Sequence, residues 1–324
     1  MMLPLVLIVS PGLAADNNGN WQTARRWAQM LRGHARTRIL SHWPAPGEST
    51  DAVALLALHA RRSADSIEAW TSAHPGYGLA VVLTGTDLYH DIIDDATAQR
   101  SLALAQQLVV LQDKGPQALP PQYRKKTRVM FQSTTTRKTL PKNPKFLKAM
   151  MVGHLREVKS PQTLFQAARL LATRSDIHID HIGVALETPL GVQARLAEAD
   201  NPRYRWLGGV AHESTRWHIQ RADVLVHCSR MEGGAHVVME AVCSGTAVLA
   251  SKVDGNVGML GEDYAGYFTW GDAQGLADLL TRCRDDAAFL AHLRAQCEAR
   301  APLFQPAKEQ AALIDLIKAL TRKQ

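Results

Sequence analysis

Ser229-Arg230-Met231-Glu232-Gly233-Gly234-Ala235-His236-Val237-Val238-Met239-Glu240-Ala241 is the stretch that decides the reading of this chain. It follows the apolar run Val224–His227, which reads as a buried strand, and it leads into a helical pattern from Val237. A strand, a glycine-rich turn and a helix in that order make an anion site. Gly233 and Gly234 let the backbone come close to a ligand. The amides near Ala235, His236 and Val237 open the helix and suit a diphosphate. Glu240 falls on the first turns, where its two oxygens match a vicinal diol such as that of a ribose. Glu232 stands in the loop before the helix and faces the sugar side of such a ligand. A plain turn with two surface glutamates is the simpler alternative for the same string.

Outward from this stretch, strands and helices alternate in both directions. Apolar runs at 5–9, 52–58, 79–83 and 107–112 read as strands of an N-terminal half. Helical spacing at Trp21, Ala24, Trp27, Ala28 and Leu31 separates the first two. A second set of strands begins at 146–153 and continues at 178–183, 204–207, 224–227 and 247–251. Prolines 116, 120, 121, 141 and 144 punctuate a basic stretch between the halves. The expected class is α/β, with two Rossmann-like doubly wound domains facing a central cleft. Residues 1–145 form an N-terminal domain, 146–305 a C-terminal one, and 306–324 a helix that packs back on the first.

Bulk properties agree. A chain of 324 residues exceeds what a single core usually supports. Hydrophobic residues make up 46% and charged residues 21%, an ordinary globular balance. The net charge of +7 is spread along the chain with no interleaved aromatics, which argues against nucleic acid and suits anionic small molecules. Cys228, Cys243, Cys283 and Cys297 form no Cys-x-x-Cys pair, so neither a metal site nor a disulfide framework is expected. The apolar start lacks a basic leader and reads as a strand, no segment is long enough to span a membrane, and the expected location is the cytoplasm. No cofactor is expected beyond the substrates.

A second cleft-facing segment is Val152-Gly153-His154-Leu155-Arg156-Glu157-Val158-Lys159-Ser160-Pro161, at the end of the strand that opens the second domain. Lys159 and Arg156 are candidates to neutralise a departing diphosphate. The two segments, in this order, resemble the GT4 family of retaining GT-B glycosyl transferases. That family carries a Gly-Arg-Leu…Lys-Gly segment followed further on by Glu-x7-Glu, here Glu232 to Glu240. The resemblance implies that Glu240 binds ribose, that Lys159 binds diphosphate, and that Glu232 and residues 233–237 surround the donor sugar and phosphate. His154 stands where the family has arginine, and Arg156 is the available substitute.

Asn17-Asn18-Gly19-Asn20-Trp21, Leu58-His59-Ala60-Arg61-Arg62-Ser63, Leu83-Thr84-Gly85-Thr86-Asp87 and Gly255-Asn256-Val257-Gly258 together look like the selenosugar synthases of selenoneine biosynthesis. This resemblance implies a UDP-sugar donor, UDP-N-acetylglucosamine, with selenophosphate as acceptor and other selenium-pathway enzymes as functional partners. Gly19 and Asn20 then lie on the donor side, and Asn18, Arg61, Arg62, Thr84, Thr86 and Asp87 on the acceptor side. His59 joins Lys159, Arg156 and Glu232 as a catalytic candidate. Selenophosphate is already anionic, so no general base is required, whereas a hydroxyl acceptor would benefit from one. The alternatives are a GT4-type enzyme with a hydroxyl acceptor and a nucleotide-binding regulatory protein without turnover. A dehydrogenase is disfavoured, because no Gly-x-Gly-x-x-Gly follows the first strand.

Overall fold

The computed structural model describes residues 3–14, 19–45 and 51–322. The chain divides into two compact units, residues 1–133 with 306–324, and residues 134–305.

The first unit is built on six parallel strands: β1 (Leu5–Val9), β2 (Arg36–Leu40), β3 (Ala54–Leu58), β4 (Leu79–Leu83), β5 (Gln107–Val110) and β6 (Thr127–Val129). Their order in the sheet is β2-β1-β3-β4-β5-β6. Strands β1, β3 and β4 are buried along their whole length. Their side chains feed two apolar clusters on opposite faces of the sheet. Coverage on both faces is why these strands read as unbroken apolar runs rather than alternating ones. Strand β6 has no such run, and the sequence gives no sign of it. The order turns back between β1 and β3, the topological switch point, where ligands of such sheets bind.

The helix Pro306–Thr321 belongs to this unit. Leu313, Leu316, Ile317 and Leu320 join the cluster that holds Trp27 and Leu31. Each such side chain contributes roughly 1.5–3 kcal/mol when fully buried. Glu309 of this helix is buried. It accepts from Trp27 Nε1 at 2.7 Å, the Ser133 amide at 2.7 Å and Ser133 Oγ at 2.6 Å, and it pairs with Arg26 at 3.0 Å. One carboxylate thus ties the Gly19–Met30 helix, the end of residues 1–133 and the C-terminal helix together.

The second unit holds β7 (Leu147–Val152), β8 (Ile177–Ile182), β9 (Tyr204–Gly208), β10 (Val224–His227), β11 (Ala247–Ser251) and β12 (Tyr267–Phe268). Their order is β12-β11-β10-β7-β8-β9, again all parallel. This is the doubly wound order with its switch point between β7 and β10. The α/β expectation of two doubly wound sheets holds.

The division falls after Ser133, upstream of the 145/146 boundary expected from the prolines. Hydrogen bonds explain the difference. The Arg137 amide donates to the Cys243 carbonyl, Arg216 donates to Thr135, and Lys142 Nζ donates to the carbonyls of Gln220 and Ala222. The basic stretch is therefore fastened along the second unit. No helix among the described residues is long and apolar enough to cross a membrane.

Candidate functional site

In the second unit, the loops after β7 and β10 leave the sheet at its switch point. They are paired by a bond from the Arg230 amide to the Val158 carbonyl at 2.9 Å. Lys159 reaches from the first loop to Glu232 on the second, with Nζ to Oε1 at 2.5 Å. His227, the last residue of β10, donates to the same oxygen from beneath at 3.0 Å. Glu232 is 8% exposed. Burial alone would raise its carboxyl, but the Lys159 charge and the His227 hydrogen bond outweigh that and hold it well below the usual range. Glu232 is therefore an ionised acceptor, with no proton to give. Gly255 is required at this point, because a Cβ there would lie 2.0 Å from the Glu232 carbonyl oxygen.

The loop continues through buried Gly233 and half-buried Gly234 into the helix His236–Val242. One expected amide donor is already taken: Ala235 N–H points to Met259 Sδ at 3.1 Å. The Met259 sulfur thus stands against the Ala235 amide, one of the three amides expected to meet a phosphate.

Glu240 is buried at 4% exposure on the inner side of this helix. Its Oε1 accepts from His212 Nε2 at 2.7 Å. Arg216 Nε lies 3.9 Å from the same oxygen and, though buried, has no hydrogen-bond partner. His212 follows β9 and opens the helix His212–Arg221, with 67% of its side chain exposed. Its hydrogen bond to Glu240 raises the imidazole above its ordinary value, against a smaller effect of burial. A buried carboxylate thus meets a surface imidazole that can move away.

His154 and Arg156 do not join the Lys159–Glu232 pair through any described hydrogen bond. The His154 ring accepts from the Val184 amide at 3.3 Å. Burial, then Arg156 and Lys159, lowers its pKa, so it is not a second cation. Arg156 is exposed at the turn that precedes Lys159. Behind them, His181 bridges Tyr204 Oη at 3.0 Å and the Gly153 carbonyl at 3.2 Å, and burial pushes its pKa down to about 4. A neutral ring braces the Gly153 turn. Gly183 allows that turn close approach, since a Cβ there would sit 1.9 Å from the Gly153 oxygen.

In the first unit, the acceptor-side candidates gather at the ends of β3 and β4, beside that sheet's switch point. Asp87 is fully buried, and its carboxylate is consumed by the protein. Oδ1 accepts from the Thr84 and Gly85 amides at 2.8 and 2.9 Å, and Oδ2 from the Ala60 amide at 2.9 Å. It fastens two strand-end loops and is fully shielded from solvent, which corrects the expected binding role. His59 is 3% exposed. Its Nδ1 accepts from the Arg62 amide at 3.3 Å, which leaves Nε2 to donate to Thr86 Oγ1 at 3.2 Å. Burial lowers its pKa, so the ring is neutral. With both nitrogens engaged, His59 braces the loop rather than facing substrate, a correction to its catalytic assignment. Arg61 pairs with Asp91 at 2.9 Å while half its side chain stays exposed. Arg62 and Thr86 are exposed and Thr84 is half-buried. Gly19 and Asn20 begin the Gly19–Met30 helix; Asn18 lies outside the described residues.

His212, Arg216 and His227 were missed from the sequence. His227 and His212 stand at strand ends, the signal that singled out the other candidates. Among the described residues, no group of three or more His, Cys, Asp or Glu side chains is placed to hold a metal ion.

No curated protein sequence matches this chain. Among solved structures, sucrose-phosphate synthase from Thermosynechococcus elongatus superposes with a TM-score of 0.79 at 17% identity, over 98% of this chain and 99% of its own. Anabaena HepE, solved with UDP and glucose, gives 0.74 at 16% identity, over 98% of this chain and 100% of its own. The pneumococcal O-GlcNAc transferase GtfA, solved with UDP and GlcNAc, gives 0.68 at 15% identity, over 83% of this chain and 57% of its own. These likenesses establish the fold. Residues 132–303, more than half of the chain and nearly all of the second unit, match the model of the glycosyl transferases group 1, and the chain belongs to that family.

Proposed function

We propose that this glycosyl transferase takes a UDP-sugar, UDP-N-acetylglucosamine, as donor and selenophosphate as acceptor, and forms a carbon–selenium bond. The observation that carries the donor half is Glu240. It is a buried carboxylate behind a glycine-rich turn, held by an exposed imidazole that a ribose diol can replace. Lys159 and the Val237 amide meet the diphosphate, with exposed Arg156 as a further cation. Ionised Glu232 orients Lys159 and faces the donor sugar. HepE and GtfA, which share the fold, were solved with UDP.

The acceptor half rests on the first unit. Arg61, Arg62, Thr84 and Thr86 offer guanidinium and hydroxyl groups to a small anion. His59 is neutral but occupied at both nitrogens, so it offers no base for a hydroxyl. That favours a nucleophile which arrives ionised. Selenium attacks the anomeric carbon as the bond from that carbon to the diphosphate oxygen breaks, and UDP departs against Lys159. Hydrolysis of the selenium–phosphorus bond then yields the 1-selenosugar and phosphate.

Incubation with UDP-N-acetylglucosamine and selenophosphate, followed by mass spectrometry, tests the reading. The expected result is UDP and a selenium-bearing sugar in equal amounts. UDP release that depends on a hydroxyl acceptor, with no selenium product, would overturn the acceptor assignment and leave the donor assignment standing.

A further inference from the structure

Two non-glycine residues among those described have left-handed backbone, His59 and Ser160. Ser160 has φ 46° and ψ 49°. Side chains disfavour this region. The next residue is Pro161, which pushes its predecessor toward extended backbone, so two local preferences oppose the observed conformation. Something outside the turn must hold it.

The holding contact comes from 110 residues away. Trp270 Nε1 donates to Ser160 Oγ at 2.9 Å. Ser160 Oγ in turn donates to the Glu157 carbonyl at 3.3 Å, and the Ser160 amide donates to the same oxygen at 2.8 Å. Arg230 stacks its guanidinium on the indole at 5.1 Å, and the Arg230 amide bonds the Val158 carbonyl. The loop that carries Lys159 is thus clamped between Trp270 and the loop that carries Glu232. A rotation at Ser160 would swing the adjoining Lys159 away from Glu232.

We infer that Trp270 is a positioning residue for Lys159: its indole N–H keeps Ser160 left-handed, and that backbone aims the ammonium at Glu232 and at the donor diphosphate. The inference rests on the donor-site reading given above. The alternative role for Trp270 is a wall of the groove of about 450 Å³ that it lines with Gln162, Thr163, Gln166 and Arg230. The two roles differ at one point. A wall residue contacts the ligand directly, so its loss is felt even where residue 160 holds positive φ unaided.

A double-mutant cycle separates them, read as UDP affinity by calorimetry. Trp270→Phe keeps a ring under Arg230 and removes the N–H. With Ser160 present, it should weaken UDP binding by about tenfold, the scale of a displaced charged contact. With Ser160→Gly, residue 160 adopts positive φ unaided. The same Trp270→Phe change should then cost less than about twofold. Equal losses in both backgrounds, or no loss beside Ser160, overturn the inference. Melting temperatures of all four proteins report ring packing separately, because a packing loss is the same in both backgrounds. Lys159→Ala supplies the control for the underlying reading. If it weakens UDP binding while the cycle is additive, only the role of Trp270 fails. If it leaves UDP affinity unchanged, the donor site itself is wrong and the inference falls with it.

Discussion

Two buried carboxylates of the first unit, Asp87 and Glu309, are held in the opposite way to two of the second, Glu232 and Glu240. In the first unit, Asp87 is gripped by three backbone amides, and Glu309 by an indole, an amide, a hydroxyl and a guanidinium. In the second, Glu232 and Glu240 are gripped by Lys159 and His212, whose side chains are 24% and 67% exposed. Backbone amides cannot leave without unfolding a loop, and the indole and hydroxyl on Glu309 are buried with it, so the first kind serves structure. Side-chain cations can swing into solvent and exchange a carboxylate for a ligand, so the second kind is available for binding. Burial of a carboxylate alone does not separate the two classes; the nature of its donors does.

The largest test of this contrast is Glu309→Ala. It strands Trp27 Nε1 and the Ser133 amide and breaks the ion pair with Arg26, and should destabilise the first unit by about 3–5 kcal/mol. Scanning calorimetry should show an earlier transition, and an unchanged melt would break the contrast at its structural end. Next comes Glu240→Ala, which should weaken UDP binding about 100-fold, or about 2.7 kcal/mol, while the melt barely moves. A large drop in stability with UDP affinity intact would place Glu240 in the structural class.

The smallest effect is that of pH. Hydrogen bonding to Glu240 raises the His212 pKa above 6.5, so the imidazolium grips the carboxylate most firmly in acid. The pair's contribution to stability is complete below the unfolded value and is lost as pH rises through the raised folded value. On the proposed donor site, ribose competes with that grip. UDP affinity should therefore rise by about threefold between about pH 6 and about pH 8.5, the size expected of an exposed pair. His212→Ala should flatten the profile, and a slope that survives the substitution would assign the titration to another group.

Much of this architecture was legible because parallel strands covered on both faces leave apolar runs, as at Leu5–Val9 and Leu79–Leu83. The edge strand Thr127–Val129 and the short helix Asp254–Leu260 leave no such trace and were missed. Lys159, Glu232 and Glu240 could be picked out because strand ends and a glycine turn mark them. What the sequence hid was occupancy. Nothing local shows that Asp87 is spent on the amides of Ala60, Thr84 and Gly85, or that Met259 takes the Ala235 amide. His212 meets Glu240 across 28 residues and Trp270 meets Ser160 across 110, and contacts of that kind exist only once the chain has folded.

The Pro306–Thr321 helix has a consequence for how the molecule is made. Residues 1–133 emerge from the ribosome long before the segment that supplies Leu313, Leu316, Leu320 and Glu309 to their core. Throughout translation of residues 134–305, the cluster of Trp27 and Leu31 lacks the apolar partners that the last helix supplies. The second unit is continuous in sequence and meets no such delay. A chain ending at residue 305 should therefore protect residues 134–305 from protease while leaving residues 1–133 open to cleavage.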